Sequence, residues 1–445
     1  MLELRLFWTL VLCLGARNVS AQALADAVEA EPAVMQLSSF AQAKQLLAAN
    51  QPSLQLQAAA VTRAQAQVEQ ALSQLLPRLE LGVGTDYAFV RRPLGSETTR
   101  VLDGRSLAPS ATASLSITFS LARLAQIDSA QRQVDAEARA LMATRHQLIG
   151  GLASTVLSLL SAERVAARNA DGYAAAQERM RLTQRLLEVG RVTAVDALRF
   201  TQDLREAQSE LVSAVEALSQ AREALGVALG VREAVGIQAE LDVQALLPRT
   251  GSDCRALASL DARADRQSAQ LRVDQAQAAA DSARLAYLPE LRLTTLYSAR
   301  LIPGLEVRGE GAREVVHDWG ARANLVWTVY DGGQRSADVV RADAEIRRLR
   351  AEQEQLVIDS AQERRRSQRL LNVTRVQREA AQASVEAARR IDGLSRKALE
   401  LGSVSALEVV DAARRLRAVE ITLTLRQVEE LAAHVNARLA LAICK

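Results

Sequence analysis

Along most of the chain apolar residues recur every three or four positions, but in four short segments they alternate with polar ones. In Leu79–Phe89 the odd positions are Leu79, Leu81, Val83, Thr85, Tyr87 and Phe89, and small or charged residues fill the even ones. In Ala111–Leu121 every even position is a Ser or Thr. The later pair has Leu291, Leu293, Thr295, Tyr297 and Leu301, then Ala321, Ala323, Leu325, Trp327 and Val329. A period of two predicts strands with one apolar and one polar face. They are placed at about 78–91, 111–121, 290–301 and 320–330, the length of a tilted membrane-spanning strand of ~9–11 residues. Tyr87, Phe89, Phe119, Tyr297 and Trp327 lie towards strand ends, where an interfacial aromatic girdle is expected. The segments between paired strands, 90–110 and 302–320, carry Gly, Pro and charge, as outer loops of a barrel do. Four strands cannot close a barrel, and open edges do not survive in lipid. Copies of the chain must therefore combine: two would supply eight strands and three would supply twelve.

The helical periodicity covers the rest. It runs over 53–76, 122–189, 193–230, 263–288, 334–401 and 403–443. At ~1.5 Å per residue each long run measures about 100 Å, and the two shorter runs of each half together nearly match it. A long helix can then pair antiparallel with two short ones stacked end to end. Alanine stripes (Ala58–Ala60, Ala64, Ala66, Ala71; Ala276, Ala278–Ala280, Ala283) let such helices approach closely.

The pattern occurs twice. Leu182-Thr-Gln-Arg-Leu-Leu-Glu-Val-Gly190-Arg-Val-Thr-Ala-Val-Asp196 aligns without a gap on Leu394-Ser-Arg-Lys-Ala-Leu-Glu-Leu-Gly402-Ser-Val-Ser-Ala-Leu-Glu408. The period is about half the chain, far beyond the ~20–50 residues of solenoid repeats, so this is a duplicated domain. The expected organisation is a first repeat at 22–230, a linker at 231–262 and a second repeat at 263–445. Each repeat is a helix–strand–strand–helix–turn–helix unit.

Composition narrows the class. Of 445 residues, 55 are basic and 52 acidic, a net charge of +3, and arginines are interleaved with acids, so no nucleic-acid footprint is present. Apolar residues make up 49 % but aromatics only 3 %, which suits Ala/Leu-rich helices. Residues 1–21 read as a cleaved signal peptide: Arg5, an apolar run at Leu6–Leu14, and Val19-Ser20-Ala21 before Gln22. No later apolar run is read as a transmembrane helix. Cys13 follows Leu12 rather than a small residue, unlike a lipid-attachment site. Cys254 and Cys444 open and close the second repeat, and export would permit them to pair. His146, His317 and His434 are scattered with no ligand or nucleophile spacing, so no catalysis, cofactor or bound metal is expected.

With these residues in place, the chain resembles the TolC-type outer membrane factor (outer membrane efflux protein) family. Leu76-Pro77-Arg-Leu-Glu-Leu and Leu288-Pro289-Glu-Leu-Arg-Leu before strands carry the resemblance, together with Trp327-Thr-Val-Tyr-Asp331-Gly332-Gly333-Gln-Arg335 and the two Gly-x-x-[Ser/Thr]-x-x-[Asp/Glu] turns. The resemblance implies a mainly α chain with membrane β: a homotrimer with a twelve-stranded outer-membrane barrel and a periplasmic α-barrel of long helical hairpins. It also implies a periplasmic adaptor (membrane fusion protein), an inner-membrane ABC transporter or other pump, and contact with outer-membrane lipid.

The turns have two readings. Ser405 followed three residues later by Glu408 is a capping box, and Thr193 with Asp196 is another. Asp411 is not needed for a cap and lies one turn beyond Glu408, on the same face. In the resembled family this stretch is the periplasmic entrance, so Glu408 and Asp411 would form a lumen-facing acidic ring favouring cations. The family's entrance Tyr and Arg correspond to Leu399 and Val404 here, and Arg191 or Arg199 of the first turn could substitute. Gly190, Val192, Gly402 and Val404 would meet the adaptor, unless the valines pack against their neighbours. Many drug-efflux members carry a lipid at the first mature residue, and its absence here points to protein export by a type I secretion system. Small-molecule or metal efflux is the alternative, and a soluble periplasmic helical adaptor a more distant one that the alternating strands oppose.

Overall fold

The computed structural model describes residues 33–94, 100–238, 254–257, 259–303, 313–401, 403–440 and 442–444. The signal segment 1–21, Gly402 and most of the 231–262 linker's middle lie outside them. The elements in chain order begin with β1 (Met35–Leu37), α1 (Phe40–Asn50), α2 (Pro52–Ser73), β2 (Arg78–Leu94), β3 (Arg100–Phe119), α3 (Leu121–Glu188), α4 (Ala194–Leu229) and β4 (Val235–Ile237). The second half has β5 (Cys254–Ala256), α5 (Ala264–Leu285), β6 (Glu290–Pro303), β7 (Arg313–Val326), α6 (Gln334–Glu400), α7 (Ala406–Leu439) and β8 (Ala442–Cys444). The chain divides into two compact units, one of residues 55–144 and 260–359 and one of 1–54, 145–259 and 360–445. Helices α3 and α6 contribute to both.

In the first unit the four long strands form one antiparallel sheet in the order β2-β3-β6-β7. The duplication thus meets at β3–β6, where Ser116 pairs with Thr294 and Leu115 with Thr295. The register extends each strand's alternation across the sheet. Leu79, Leu115, Thr295 and Ala321 stand in one row; Ile117, Leu293 and Ala323 in another; Phe119, Leu291 and Leu325 in a third. Rows on the other face are polar: Arg78, Ser116, Thr294 and Arg322, then Thr118, Arg292 and Asn324. A slip of one residue would exchange the faces, so a two-sided sheet of this kind has one strongly specified register. On the apolar face Leu79, Leu81, Leu115, Leu291 and Leu325 are exposed, and β2 and β7 are free edges of the sheet.

The strands differ from expectation at their ends. Pairing of β2 with β3 continues to Leu94↔Arg100, and β6–β7 continues to Pro303↔Arg313. Most of the segments read as outer loops are therefore strand, because charged residues are tolerated in a ladder once it leaves an apolar environment. At the other end β7 stops at Val326 rather than 330. The Trp327 indole donates to the Tyr287 carbonyl (3.0 Å), and Asp331 draws the chain into the start of α6.

Helices α2 and α5 pack against α3 and α6 within this unit. Ala71, Ile127 and Ala130 form one apolar cluster with Val68 and Leu75, and Ala276, Ala280 and Ile346 form a second with Ala342 and Leu349. Small residues at these contacts match the alanine stripes. Ser129, Ser268 and Ser282 each donate across a helix contact to a carbonyl, those of Gln275, Ala136 and Ala122.

In the second unit β1 pairs in parallel with β4, and β5 pairs antiparallel with β8. Leu37, Leu47, Leu225, Leu229 and Val235 are fully buried there. So are Leu152, Val156 and Leu159 of α3. Among the described residues α3 holds the one apolar window long enough for a membrane span. This corrects the expectation of no such run: Ser154, Thr155, Ser158 and Ser161 interrupt the apolar residues without bringing the mean hydropathy down. A third of the window is buried within this unit, Leu152, Val156 and Leu159 included.

Candidate functional site: the helix turns and the strand–helix junction

The first turn closes by hydrogen bonding alone. The Gly190 N–H reaches the Leu187 carbonyl and the Arg191 N–H reaches that of Leu186 (2.8 Å), a Schellman closure. Gly190 adopts φ of 70°, the left-handed region in which a Cβ is penalised. Helix α4 then starts with a complete capping box. The Thr193 hydroxyl accepts from the Asp196 N–H, and the Asp196 carboxylate accepts from the Thr193 N–H and from its hydroxyl (2.7 Å). Arg199 adds an ion pair to Asp196 at 3.4 Å. Asp196 and Arg199 are thus engaged with each other inside the first turn. Arg191 is exposed and has no acidic partner among the described residues.

The second turn is built differently. Ser405 caps α7 by accepting from the Glu408 N–H, but the Glu408 side chain does not return to the cap. The box is half formed. Glu408 and Asp411 are both exposed, and neither carboxylate has a hydrogen-bond or ion-pair partner among the described residues. They sit three residues apart near the start of α7, where the helix dipole favours negative charge. Helical spacing brings them to one face, so the structure leaves this acid pair available where Asp196 is not.

Behind the turns an apolar cluster joins the two repeats. Phe200 of α4 is buried with Ala406, Val409 and Val410 of α7, and Met180, Leu399 and Val404 pack against them. Val404 therefore faces inward. Val192 is half-exposed. The apolar groups that stand open at the turns are others: Val189, Val195 and Leu198 of the first and Leu401 and Leu407 of the second.

Farther along the same helices lies a charge cluster that the sequence did not reveal. The Asp203 carboxylate is 1 % exposed and accepts from Arg179 of α3 (2.8 Å) and from Arg414 of α7 (3.4 Å), with Arg417 at 3.9 Å.

The junction motif is a compact clamp. One Asp331 oxygen accepts from the Gly333 N–H (3.1 Å), and the other accepts from the Arg335 N–H (3.1 Å) and its Nε (2.6 Å). The Arg335 guanidinium also lies over the Tyr287 ring, 4.7 Å from its centroid, and Tyr287 follows α5. Asp331 and Arg335 thus join the end of α5 to the start of α6. The Arg335 hydrogen bond holds the Asp331 carboxyl below the usual carboxylate range.

The three histidines do not converge: His317 of β7 meets the Tyr297 hydroxyl at 2.8 Å, and His146 and His434 belong to α3 and α7. The backbone register of β5 and β8 sets Cys254 opposite Cys444.

A sequence model described as outer membrane efflux protein matches residues 43–231 and 258–442, one segment for each repeat. No curated protein sequence matches the chain. Among solved structures, the Campylobacter jejuni CmeC outer membrane channel is 18 % identical, with a TM-score of 0.75 over 90 % of this chain and 85 % of that one. The outer membrane protein VceC from Vibrio cholerae is 15 % identical, with a TM-score of 0.74 over 90 % and 95 %. A membrane protein from Pseudomonas aeruginosa is 21 % identical, with a TM-score of 0.73 over 92 % and 91 %. At these identities the likeness is one of fold, and the family match on both repeats carries the assignment. The sequence model matches one segment in each repeat, and the chain belongs to the outer membrane efflux proteins, the outer-membrane channels of tripartite export systems.

Proposed function

We propose that three copies of this chain form a closed duct, with a twelve-stranded barrel in the outer membrane and the acids of α7 at its periplasmic entrance. The observation that carries the reading is the sheet itself. It presents a continuous apolar face with exposed leucines and two unpaired edges, β2 and β7. Lipid would accept the face but not the edges, and edge-to-edge pairing of β7 with β2 of the next copy removes both. A heterologous contact of this kind closes into a ring. The polar face, with its Ser, Thr and Arg rows, then lines a wet lumen.

The N-terminal 21 residues act as the export signal in this reading. A periplasmic adaptor meets the turns, where Val189, Val195, Leu198, Leu401 and Leu407 are exposed, and an inner-membrane pump delivers the cargo. The sequence reading favours a polypeptide cargo, as in type I secretion. Small-solute efflux is a second reading, supported by the description of the matching family. One experiment separates them. In a strain lacking the chain, loss of a secreted protein with unchanged drug and metal sensitivity supports the first. Sensitisation with an intact secretome supports the second. Recovery of the chain with the soluble periplasm, without heat-modifiable migration, would overturn the duct itself.

A further inference from the structure

The Asp203 cluster has no counterpart in the turns or caps, and its placement suggests a role. Asp203, Glu206 and Glu210 occupy one face of α4 at spacings of three and four residues. Arg414 and Arg417 answer them from α7. Arg414 bridges Asp203 and Glu206, and Arg417 bridges Asp203 and Glu210, the last ion pair at 2.8 Å. Arg179 of α3 takes the second Asp203 oxygen. Three helices from two repeats therefore share one buried carboxylate. The site is shaped for this contact: a Cβ on Gly172 of α3 would stand 2.6 Å from Arg417 Cδ, so only glycine leaves room for that arginine's stem. Asp203 is 1 % and Arg417 8 % exposed. A buried charge in such a place is costly unless fully paired, and removing one partner leaves the others uncompensated.

The position relative to the acids matters. Arg414 follows Asp411 by three residues, so the helix face that the cluster grips begins one turn from the acid pair. We infer that Asp203 is a positioning residue for the entrance: it latches α7 of the second repeat to α3 and α4 of the first, and thereby fixes where Glu408 and Asp411 stand. The inference rests on the duct reading proposed above, because it assumes that the start of α7 borders the pore. Asp203 itself touches no cargo. It acts by denying α7 the sliding or rotation that would carry the acids away from the axis. Glu206 and Glu210 extend the grip over two turns, so the latch resists rotation as well as translation.

The test is single-channel recording of the full-length protein in planar bilayers, with heat-modifiable migration as the check on assembly. D203N should assemble and raise the closed-state conductance several-fold, with weakened cation selectivity. G172A, which displaces the Arg417 stem without altering any charge, should shift conductance in the same direction. D203N combined with R417M removes both a carboxylate charge and the arginine facing it. Because both residues belong to one latch, the double variant should conduct no more than D203N alone, and so less than the summed effects of D203N and R417M predict. Wild-type conductance in an assembled D203N protein would overturn the latch. If D203N does not assemble, R414Q decides, since it empties only the half-exposed side of the cluster, and unchanged conductance there would overturn the latch as well. A wild-type protein that forms no channel would instead refute the duct reading, which keeps the two failures distinct.

Discussion

Replacing Phe200 by Ala isolates the contribution of apolar packing to the two turns. Phe200 is 2 % exposed, the one aromatic side chain in the cluster that joins α4 to α7. A buried Phe removes ~150–250 Å² from water, or about 4–6 kcal/mol at ~25 cal/mol per Å². A compact unfolded state already hides ~10–40 % of that area, which brings the figure to about 2–5 kcal/mol. Direct large-to-small substitutions in cores cost about the same, ~3–5 kcal/mol for Phe→Ala. Val409, Val410 and Ala406 cannot refill the space, because each is held on the backbone of one helix. The turns should then open locally, and each 1.4 kcal/mol is a factor of ten in the opening equilibrium, so exchange accelerates by roughly 150- to 5,000-fold. Hydrogen–deuterium exchange with mass spectrometry reads this on peptides covering 182–203 and 394–413. Peptides from the β3–β6 ladder serve as the internal reference. Acceleration below tenfold at the turns, or equal acceleration in the ladder, would refute the claim that this cluster helps to hold the turns together.

Other consequences are open to shorter tests. E408A and D411A should each reduce cation selectivity and divalent block, with the double variant losing both, as reversal potentials would report; selectivity unchanged in the double variant rules out the acidic ring. D331N should loosen the strand–helix junction and lower the thermal midpoint. The folded-state pKa of Asp331 is depressed, so its contribution is fully present above the unfolded value of about 3.9 and is lost as pH falls through the lower folded value. The difference between wild type and D331N should accordingly vanish in strong acid, and a difference that persists there would refute the assignment. Because β5 and β8 set Cys254 opposite Cys444, non-reducing peptide mapping of exported protein should recover a 254–444 linkage; two free thiols would exclude it.

Which parts were legible in the sequence follows from the range of the interactions that make them. The strands announce themselves because each contains its own alternation, and register merely adds the rows together. Their far ends do not, since Arg91, Arg92 and Arg313 suit a loop as well as a strand. The three-residue strands β1, β4, β5 and β8 are too short to show any period. Turn closure at Gly190 and the Thr193–Asp196 box were readable, being local over three to five residues. The Asp203 cluster was not, because its partners lie 24 and 211 positions away. Its only sequence trace is the i, i+3, i+7 acid row on α4, and such rows usually mark a solvated face. The turn valines could be read two ways from the sequence, as open or as packed on a neighbour, for a related reason. Val404 looks like an open turn valine, yet the duplication brings Phe200 within reach of it.

The two turns also show how a duplicated segment can part with symmetry cheaply. In the first, Asp196 completes the capping box and takes Arg199, so its charge is spent on holding α4. In the second, the cap keeps only Ser405, and the Glu408 carboxylate makes no return hydrogen bond to it. Losing half of a box costs on the order of 0.5–1 kcal/mol, while burying Val409 and Val410 contributes about 1.5–3 kcal/mol each. Packing therefore outweighs the missing half-cap by a wide margin. The start of α7 can be held from behind, by the apolar cluster and by Asp203, and needs no carboxylate of its own for stability. That frees Glu408 and Asp411 from structural duty, and it explains why the repeat with the weaker cap is the one that can leave two exposed acids unpaired.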